Sequence, residues 1–205
     1  MDTLRKLQQL FKKFPGIGER QAMRFAYFVA TANEEYLKEL QDAITTAKKS
    51  VKRCSRCYAL SEKINSGLCV LCSDPTTDKS TLLIVEKDAD RERFIQSKSY
   101  KGTYFVIGGL APSIEKDTSN YIRIKELTRL IQSEQSILRE IIFALSATPD
   151  GLRTEVLLKV ELEKFLTDSP IKLSFLGRGL STGTEIEYSD SDTLRSALNS
   201  RTQTL

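Results

Sequence analysis

The sequence predicts an α/β protein assembled from several modules along its 205 residues. Apolar residues recur at helical spacing through residues 1–53, and short apolar runs alternate with helical stretches through residues 80–178. Between these parts, residues 54–72 contain two Cys-x-x-Cys pairs. The remaining residues, 179–205, predict a short strand followed by a helix capped by Asp192. They have too few apolar side chains for a separate core, so we expect them to dock on this chain or on another.

Composition and charge narrow the class of protein. The chain is 40% hydrophobic and 28% charged, which is typical of a globular protein, and no apolar run approaches the length of a membrane span. The first residues are amphipathic with charges throughout, unlike a signal peptide. With no export signal and cysteines expected to be reduced, the sequence favours a cytoplasmic protein that does not associate with membranes.

The basic excess lies at the N-terminus. Residues 1–53 carry 11 Lys and Arg against 6 Asp and Glu, a net charge of +5, whereas the whole chain has a net charge of +4. A local basic surface favours a nucleic-acid partner, although charged faces are more often simply solvated.

Residues 1–53 predict amphipathic helices joined by a tight turn. Pro15 ends the first helix, and the glycines Gly16 and Gly18 let the chain reverse before the second. The backbone N–H groups of this turn then point outward, where they suit a phosphate oxygen, and Arg20 and Arg24 lie one helical turn apart on the same face. The pattern resembles the helix-hairpin-helix motif, which binds the nucleic-acid backbone. The alternative is an ordinary helix pair with a glycine-rich turn.

The four cysteines of the chain form two knuckles with the spacing of a metal site, Cys54 with Cys57 and Cys69 with Cys72. Because no other cysteine and no histidine is present, this spacing predicts a zinc finger, residues 54–72, in which four thiolates hold one structural zinc ion. Such a site has no open position for water and clamps a segment too small to bury a core. Two disulfides or four unconnected thiols are the alternatives.

Residues 80–178 predict a mostly parallel sheet with helices on both faces, because buried apolar runs alternate with helical stretches. The expected strands are residues 82–85, 104–107, 140–145 and 171–176, and the expected helices are residues 90–97, 122–133 and 154–166. In such sheets, ligands collect beyond the carboxyl ends of the strands.

Acidic residues follow two of these runs: Glu86 and Asp90 after one, and Asp150 after another. The arrangement resembles the Toprim domain of topoisomerases and primases, in which a glutamate and an Asp-x-Asp motif hold magnesium. Glu86 matches the glutamate, but Ser146 and Thr148 stand at the Asp-x-Asp positions. One carboxylate supplies too few anionic oxygens for a hard cation, so we expect a Toprim fold that has lost catalysis, and these residues do not favour magnesium as a cofactor. Asp90 is equally suited to cap its helix.

The order of these modules resembles the RecR family of bacterial recombination mediators. The resemblance is carried by the hairpin, the four-cysteine finger, Glu86, the turn at residues 108–112 and the Glu-Tyr-x-Asp-x-x-Thr-Leu pattern of residues 187–194. It implies a protein that binds DNA without enzymatic activity, as a ring-like tetramer, or as a dimer. It also implies that RecO and RecF act with it to help RecA replace single-strand binding protein at gaps, and that Arg20 and Arg24 contact DNA.

Two departures from the family pattern accompany this resemblance. Residues 65–67 form an insertion between the cysteine knuckles, and residues 146–152 replace an acidic run of the family through which partners could be contacted. Our hypothesis is a non-enzymatic DNA-binding scaffold in recombinational repair. Two other classes stay open: a magnesium-dependent Toprim nuclease, disfavoured by Ser146 and Thr148, and a protein-interaction module for which DNA is irrelevant.

Overall fold

The computed structural model describes residues 2–112, 121–167 and 169–201. The chain divides into two compact units, Met1–Lys52 and Arg53–Leu205. The first unit is helical and the second contains the sheet.

The first unit consists of three helices, α1 (Thr3–Phe11), α2 (Glu19–Thr31) and α3 (Glu34–Ser50). Helix α1 packs on α2, with the Phe11 and Phe25 rings edge to face at 5.7 Å. Ala22 and Ala26 of α2 are fully buried. Small side chains there let the two helices approach closely, so the unit is held by a thin core.

The second unit is α/β, as the sequence predicts. None of the helices in the described ranges is long and apolar enough to cross a membrane. After β1 (Lys52–Arg53), the elements follow in this order: β2 (Leu60–Ser61), β3 (Ile64–Asn65), β4 (Leu68–Cys69), α4 (Val70–Ser73), β5 (Asp78–Val85), α5 (Asp88–Ser97), β6 (Gly102–Val106), α6 (Ile124–Glu134), β7 (Glu140–Ala144), α7 (Pro149–Leu166), β8 (Lys172–Phe175), a 3-10 turn (Ile186–Tyr188) and α8 (Ser191–Asn199).

The main sheet has four strands in the order β6-β5-β7-β8, and every neighbouring pair is parallel. In the register of the sheet, Ile84 stands beside Phe105 on one side and Phe143 on the other. The central strand β5 is thus flanked by strands that come later in the chain, and the carboxyl ends of β5, β6 and β7 meet at one edge. The four predicted strands are confirmed.

Alternate residues of the strands point to opposite faces of the sheet. On one face, Leu82 and Ile84 pack with apolar residues of α6 and α7, among them Leu127, Ile131, Leu158 and Leu162. On the other face, Leu83 and Val85 pack with the four cysteines, Tyr104, Val106 and Phe94 of α5. The cysteine segment therefore serves as half of the cover on this second face.

The cysteine segment also reaches the edge of the sheet. The Val106 N–H of strand β6 donates to the Cys57 carbonyl oxygen at 2.9 Å. The ring of the next residue, Tyr58, lies 5.4 Å from that of Phe105. The outer side of β6 is thus covered, and all five residues of this strand are buried.

The C-terminal segment differs from the expectation in two details. Residues 186–188, where a short strand was expected, form a 3-10 turn, so β8 is the last strand of the described chain. The cap of α8 is Asp190, whose carboxylate accepts from the Asp192 and Thr193 N–H groups, whereas the sequence suggested Asp192. Both residues are acidic and only two positions apart, so the residue type alone does not select the cap.

Candidate metal centre and nucleic-acid interface

The four cysteines meet at one point. Their sulfur atoms all lie within 4.8 Å of one another, and all four residues are buried. Cys57 Sγ and Cys69 Sγ are 3.6 Å apart, and all four thiols are free, so no disulfide joins them. Two thiols from each knuckle thus surround one position, as the spacing predicts.

The turn at residues 65–68 returns the second knuckle to the first. Strands β3 and β4 pair antiparallel, with Asn65 opposite Leu68. The two residues between them, Ser66 and Gly67, both have positive φ angles, 49° and 86°, which a two-residue hairpin with the twist of its strands requires. Residues 65–67, the insertion predicted from the sequence, thus lie in the hairpin that places Cys69 beside Cys54.

The donor set fits one divalent metal ion. Four sulfurs from two knuckles supply a complete tetrahedral shell, which leaves no position for water or substrate. The pKa of Cys54 is lowered because the other three thiols donate hydrogen bonds to its sulfur, whereas donating to Cys54 raises the pKa of Cys57 and Cys72. The Cys69 N–H also donates to Cys54 Sγ at 3.3 Å, so Cys54 is the thiol of the cluster that most favours the thiolate, the form that binds metal. Among the described residues, no other group of His, Cys, Asp and Glu side chains is placed to hold a metal ion.

Two arginines that the cysteine spacing does not reveal stand beside the sulfurs. Arg56 donates to Cys72 Sγ at 3.7 Å and to both Glu134 oxygens at 2.7 and 2.6 Å. Burial alone would lower the pKa of Arg56, but the hydrogen bonds to Glu134 and the charge of that carboxylate raise it. Arg91 of α5 donates to Cys69 Sγ at 3.9 Å. The only sequence signal for positive charge beside the sulfurs was Arg56, which lies within the first Cys-x-x-Cys knuckle.

At the carboxyl edge of the sheet, the structure brings Glu86, Ser146 and Thr148 together. The Ser146 hydroxyl donates to Glu86 Oε2 at 3.2 Å and lies 3.2 Å from the Thr148 hydroxyl, which caps α7 by accepting from the Gly151 N–H. Lys87 Nζ lies 3.5 Å from the other Glu86 oxygen. The hydroxyls of Ser146 and Thr148 thus stand at the Asp-x-Asp positions of the Toprim pattern. The single carboxylate, that of Glu86, already interacts with donors from Ser146 and Lys87.

The other two acidic candidates lie in the first turns of helices. Asp90 accepts a hydrogen bond from the Lys87 N–H at 3.1 Å and so caps the start of α5. Asp150 lies in the first turn of α7, where its backbone oxygen accepts from the Thr154 hydroxyl. A carboxylate is favourable at a helix N-terminus for dipole reasons, which is a sufficient structural role for Asp90.

In the first unit, the two hairpin glycines have different roles. Gly16 has a φ of 77°, a left-handed conformation that an L side chain rarely adopts. Gly18 is the N-cap of α2, with a φ of −83° and no side-chain cap, and a Cβ there would meet nothing within 4 Å. The fold thus needs a glycine at position 16 but not at position 18. Gly18 leaves the first N–H groups of α2 uncovered.

The basic side chains near this turn are exposed. Arg20 and Arg24 both lie on the solvent side of α2, and Arg24 contacts Gln21 Oε1 at 3.5 Å. Glu19, the acidic residue nearest the turn, pairs with Lys12 at 2.6 Å, and this hydrogen bond lowers the pKa of Glu19. The negative charge of Glu19 is thereby offset beside the uncovered N–H groups.

An apolar groove of about 540 Å³ runs along the same unit, with Arg24 and Gln21 at its edge. Several of its aromatic and aliphatic side chains are unusually exposed, including Phe14 at 55%, Phe28 at 54% and Ile44 at 61%. Exposed apolar patches of this kind are typical of interaction surfaces. The helical spacing of apolar residues in the sequence does not reveal this exposure.

Residues 4–48 match the family model described as RecR, helix-hairpin-helix. The curated relatives that match nearly the full chain include Recombination protein RecR of Lactococcus lactis subsp. cremoris, which is 33% identical over 201 residues, 98% of this chain and 96% of the relative. The protein of the same name from Porphyromonas gingivalis is 34% identical over 96% of this chain and 91% of the relative. That from Streptococcus pneumoniae is 34% identical over 97% and 96%.

Proposed function

Because the chain belongs to the RecR family of recombination proteins, we propose that it is a non-enzymatic DNA-binding scaffold of recombinational repair. The observation that carries the proposal is the open hairpin of the first unit, where Gly18 leaves the α2 N–H groups uncovered. Backbone donors at a helix N-terminus suit a phosphate oxygen and carry no base information. Affinity would therefore depend on the DNA backbone and hardly on its sequence.

Arg20 and Arg24 would add to this grip as phosphate contacts. Both are exposed, and they lie one turn apart on α2, within two turns of the uncovered N–H groups. Each neutralised phosphate releases condensed counterions, so binding of this kind weakens as salt rises. The proposed interface thus consists of Gly16, Gly18, Arg20 and Arg24, in which Gly16 shapes the turn and Gly18 lets the phosphate approach.

The metal in the cysteine cluster is proposed to be one structural zinc ion per chain. Four thiolates in a closed shell are the donor set of structural zinc sites. Cys54, Cys57, Cys69 and Cys72 would hold it, and bound zinc would supply cohesion to the segment that covers one face of the sheet. The chemistry of the cluster offers no open coordination position, so we assign it no reaction.

The family resemblance also suggests partners and assembly. RecO and RecF are proposed to act with this chain in loading RecA at gaps, in the cytoplasm. A tetramer or dimer is proposed because apolar side chains are exposed both in the groove of the first unit and near the C-terminus, where Ile186 and Tyr188 are 67% and 78% exposed. The oligomer and the structural zinc are tested together by measuring the mass of the protein in solution and its zinc content. A monomer without zinc would contradict both of these proposals.

The first experiment measures binding of this protein to DNA duplexes and single strands of unrelated sequence at increasing salt. We expect affinity to fall steeply with salt and to vary little with sequence. The double variant Arg20→Ala with Arg24→Ala should bind more weakly, because up to about two phosphate contacts are lost. For a duplex, the slope of log K against log salt concentration should become shallower by about 0.9 for each lost contact. Wild-type affinity in this variant, or binding insensitive to salt, would contradict the proposed interface.

A second variant separates binding from folding. Gly18→Ser introduces a good N-cap, so the free energy of unfolding should rise by a few tenths of a kcal/mol. The same hydroxyl would cover the α2 N–H groups, so DNA affinity should fall. Gly16→Ala should change stability in the opposite direction, because strain at its positive φ should cost roughly 1–2 kcal/mol. If Gly18→Ser binds DNA as tightly as the wild type, the DNA does not bind at the N–H groups of α2.

The two rival functions give different outcomes. A Toprim nuclease would nick plasmid DNA with Mg²⁺ or Mn²⁺, and nicking abolished by Glu86→Gln would overturn the scaffold proposal. Against this rival, the Ser146 hydroxyl donates to Glu86 and lies beside the Thr148 hydroxyl, at two positions where a metal site needs carboxylates. A module for protein interaction alone would show no DNA binding at low salt, even with a RecO-like partner present.

A further inference from the structure

A metal-bound cluster of four thiolates creates a charge problem in this protein. Four thiolates around a divalent ion carry a net charge of two negative units. The four cysteines are 0–7% exposed, so water cannot solvate this charge. Buried charge is costly unless it is paired or accepts hydrogen bonds. Cations from the protein are therefore required near the sulfurs.

Arg91 provides such a cation from α5. Its Nη2 donates to Cys69 Sγ at 3.9 Å, and its guanidinium lies 5.7 Å from the centre of the Tyr104 ring. Its Nε is fully buried and has no hydrogen-bond partner, although such groups are nearly always paired. Within the described ranges no carboxylate forms an ion pair with Arg91. Its charge is thus left for the sulfur cluster.

Arg56 differs from Arg91 in this respect. It also donates to a sulfur, Cys72 Sγ at 3.7 Å, but Glu134 binds it through two oxygens at 2.7 and 2.6 Å. The pair Arg56–Glu134 is therefore close to neutral as a unit. It directs a donor at the cluster without adding a net positive charge beside it.

We propose that Arg91 is a positioning residue of the metal centre, which offsets the negative charge of the thiolates and donates to the sulfur of Cys69. The inference rests on the proposed zinc site. A donor and a positive charge beside one sulfur reduce the electron density that this sulfur offers to electrophiles. Arg91 therefore retains the metal and protects Cys69 from alkylation.

The test uses the full chain loaded with zinc. Zinc release to a chelator is followed in the wild type, Arg91→Gln, Arg91→Lys and the matched control Arg93→Gln, which changes an exposed arginine of the same helix. Loss of a residue that supports metal ligands costs about 10–100-fold in affinity. We expect release from Arg91→Gln to be about tenfold faster or more, an intermediate rate for Arg91→Lys, and the wild-type rate for the control.

A second readout distinguishes charge from general loosening of the loop. The zinc-loaded variants are treated with iodoacetamide, whose carbon bonds to the thiolate as iodide leaves, and the modified cysteines are identified by peptide mass spectrometry. In Arg91→Gln, Cys69 should be alkylated first, with Cys54 following later. Equal alkylation of all four cysteines would indicate loss of structure and contradict the proposal. If Arg91→Gln does not fold, Arg91→Lys carries both measurements, again with Cys69 modified first.

The outcomes separate this inference from the proposed zinc site. A wild-type chain that binds no zinc overturns both. A wild-type chain that retains zinc, with Arg91→Gln releasing it as slowly as Arg93→Gln, overturns only the role of Arg91. Faster release with selective alkylation of Cys69 supports the role.

Discussion

The cysteine cluster and the Glu86 cluster are both places where the sequence pattern points to a cation, but only the first has a complete set of ligands. At the cysteine cluster, four sulfurs lie within 4.8 Å of one another and face inward. At the Glu86 cluster, one carboxylate meets Ser146 and Lys87, so its oxygens already have protein donors. A cluster of ligand-type residues therefore indicates a bound ion only where the ligand atoms face one another and are not already paired with donors from the protein.

The largest effect on stability is expected when one ligand is removed from the complete cysteine cluster. Cys57→Ser should lose bound metal and unfold the segment that covers one face of the sheet, because Cys57 is 1% exposed within that core. The loss should be a large part of the roughly 10 kcal/mol that a structural zinc contributes in zinc-finger peptides. Zinc content and denaturant unfolding measure it. Ser55→Ala, an exposed change in the same knuckle, is the control, and equal stability of the two variants would contradict the prediction.

A smaller effect is expected from the pair that supports the cluster. Arg56→Met leaves Glu134 partly buried without its partner, the two side chains being 10% and 19% exposed. We expect a loss of about 2 kcal/mol in the free energy of unfolding, below the full range for buried pairs because of this partial exposure. The double variant with Glu134→Gln should recover part of it. A double variant less stable than the sum of the two single variants would contradict this account.

The comparison is sharpened by giving the Glu86 cluster the ligands that it lacks. Ser146→Asp with Thr148→Asp places two further carboxylates near Glu86, and aspartate can still cap α7. Repulsion should lower the melting temperature in chelator, and Mg²⁺ should restore about 1 kcal/mol at several times its Kd. Wild-type stability should not depend on Mg²⁺. An identical Mg²⁺ response in both proteins would mean that hydroxyls suffice.

The smallest change is expected from Glu86 itself. In Glu86→Gln the side-chain oxygen can still accept from Ser146, and only a pair with Lys87 at 3.5 Å is lost, in which the lysine is 61% exposed. Surface pairs of this kind contribute little, so stability should change by less than about 0.5 kcal/mol. Denaturant unfolding checks this value. A loss of several kcal/mol would show that Glu86 holds the sheet edge together.

Local patterns were sufficient for much of this structure. The apolar runs around Ile84, Phe105 and Phe143 predicted three of the parallel strands, because continuous buried strands have few other interpretations. The spacing of Cys54, Cys57, Cys69 and Cys72 predicted that the sulfurs would meet. In both cases the information lies within a few residues along the chain.

Contacts between distant residues could not be predicted in the same way. Arg56 and Glu134 are 78 positions apart, and neither carries a signal that it will meet the other. Likewise, the knuckle spacing does not show that the cysteine segment packs on the second face of the sheet. Local chemistry was also ambiguous at Asp190 and Asp192, since either could cap α8. The position of such residues depends on packing that a short pattern does not encode.

The bond between Val106 and the Cys57 carbonyl has a consequence for the behaviour of the chain when metal is scarce. Strand β6 is an outer strand, and this knuckle pairs with its free side at Val106. If the knuckle detaches, the apolar strand Gly102–Val106 loses this partner, and unpaired backbone groups on its free side favour pairing with another chain. Zinc starvation would then cause aggregation through β6, and the metal would serve as a safeguard of solubility.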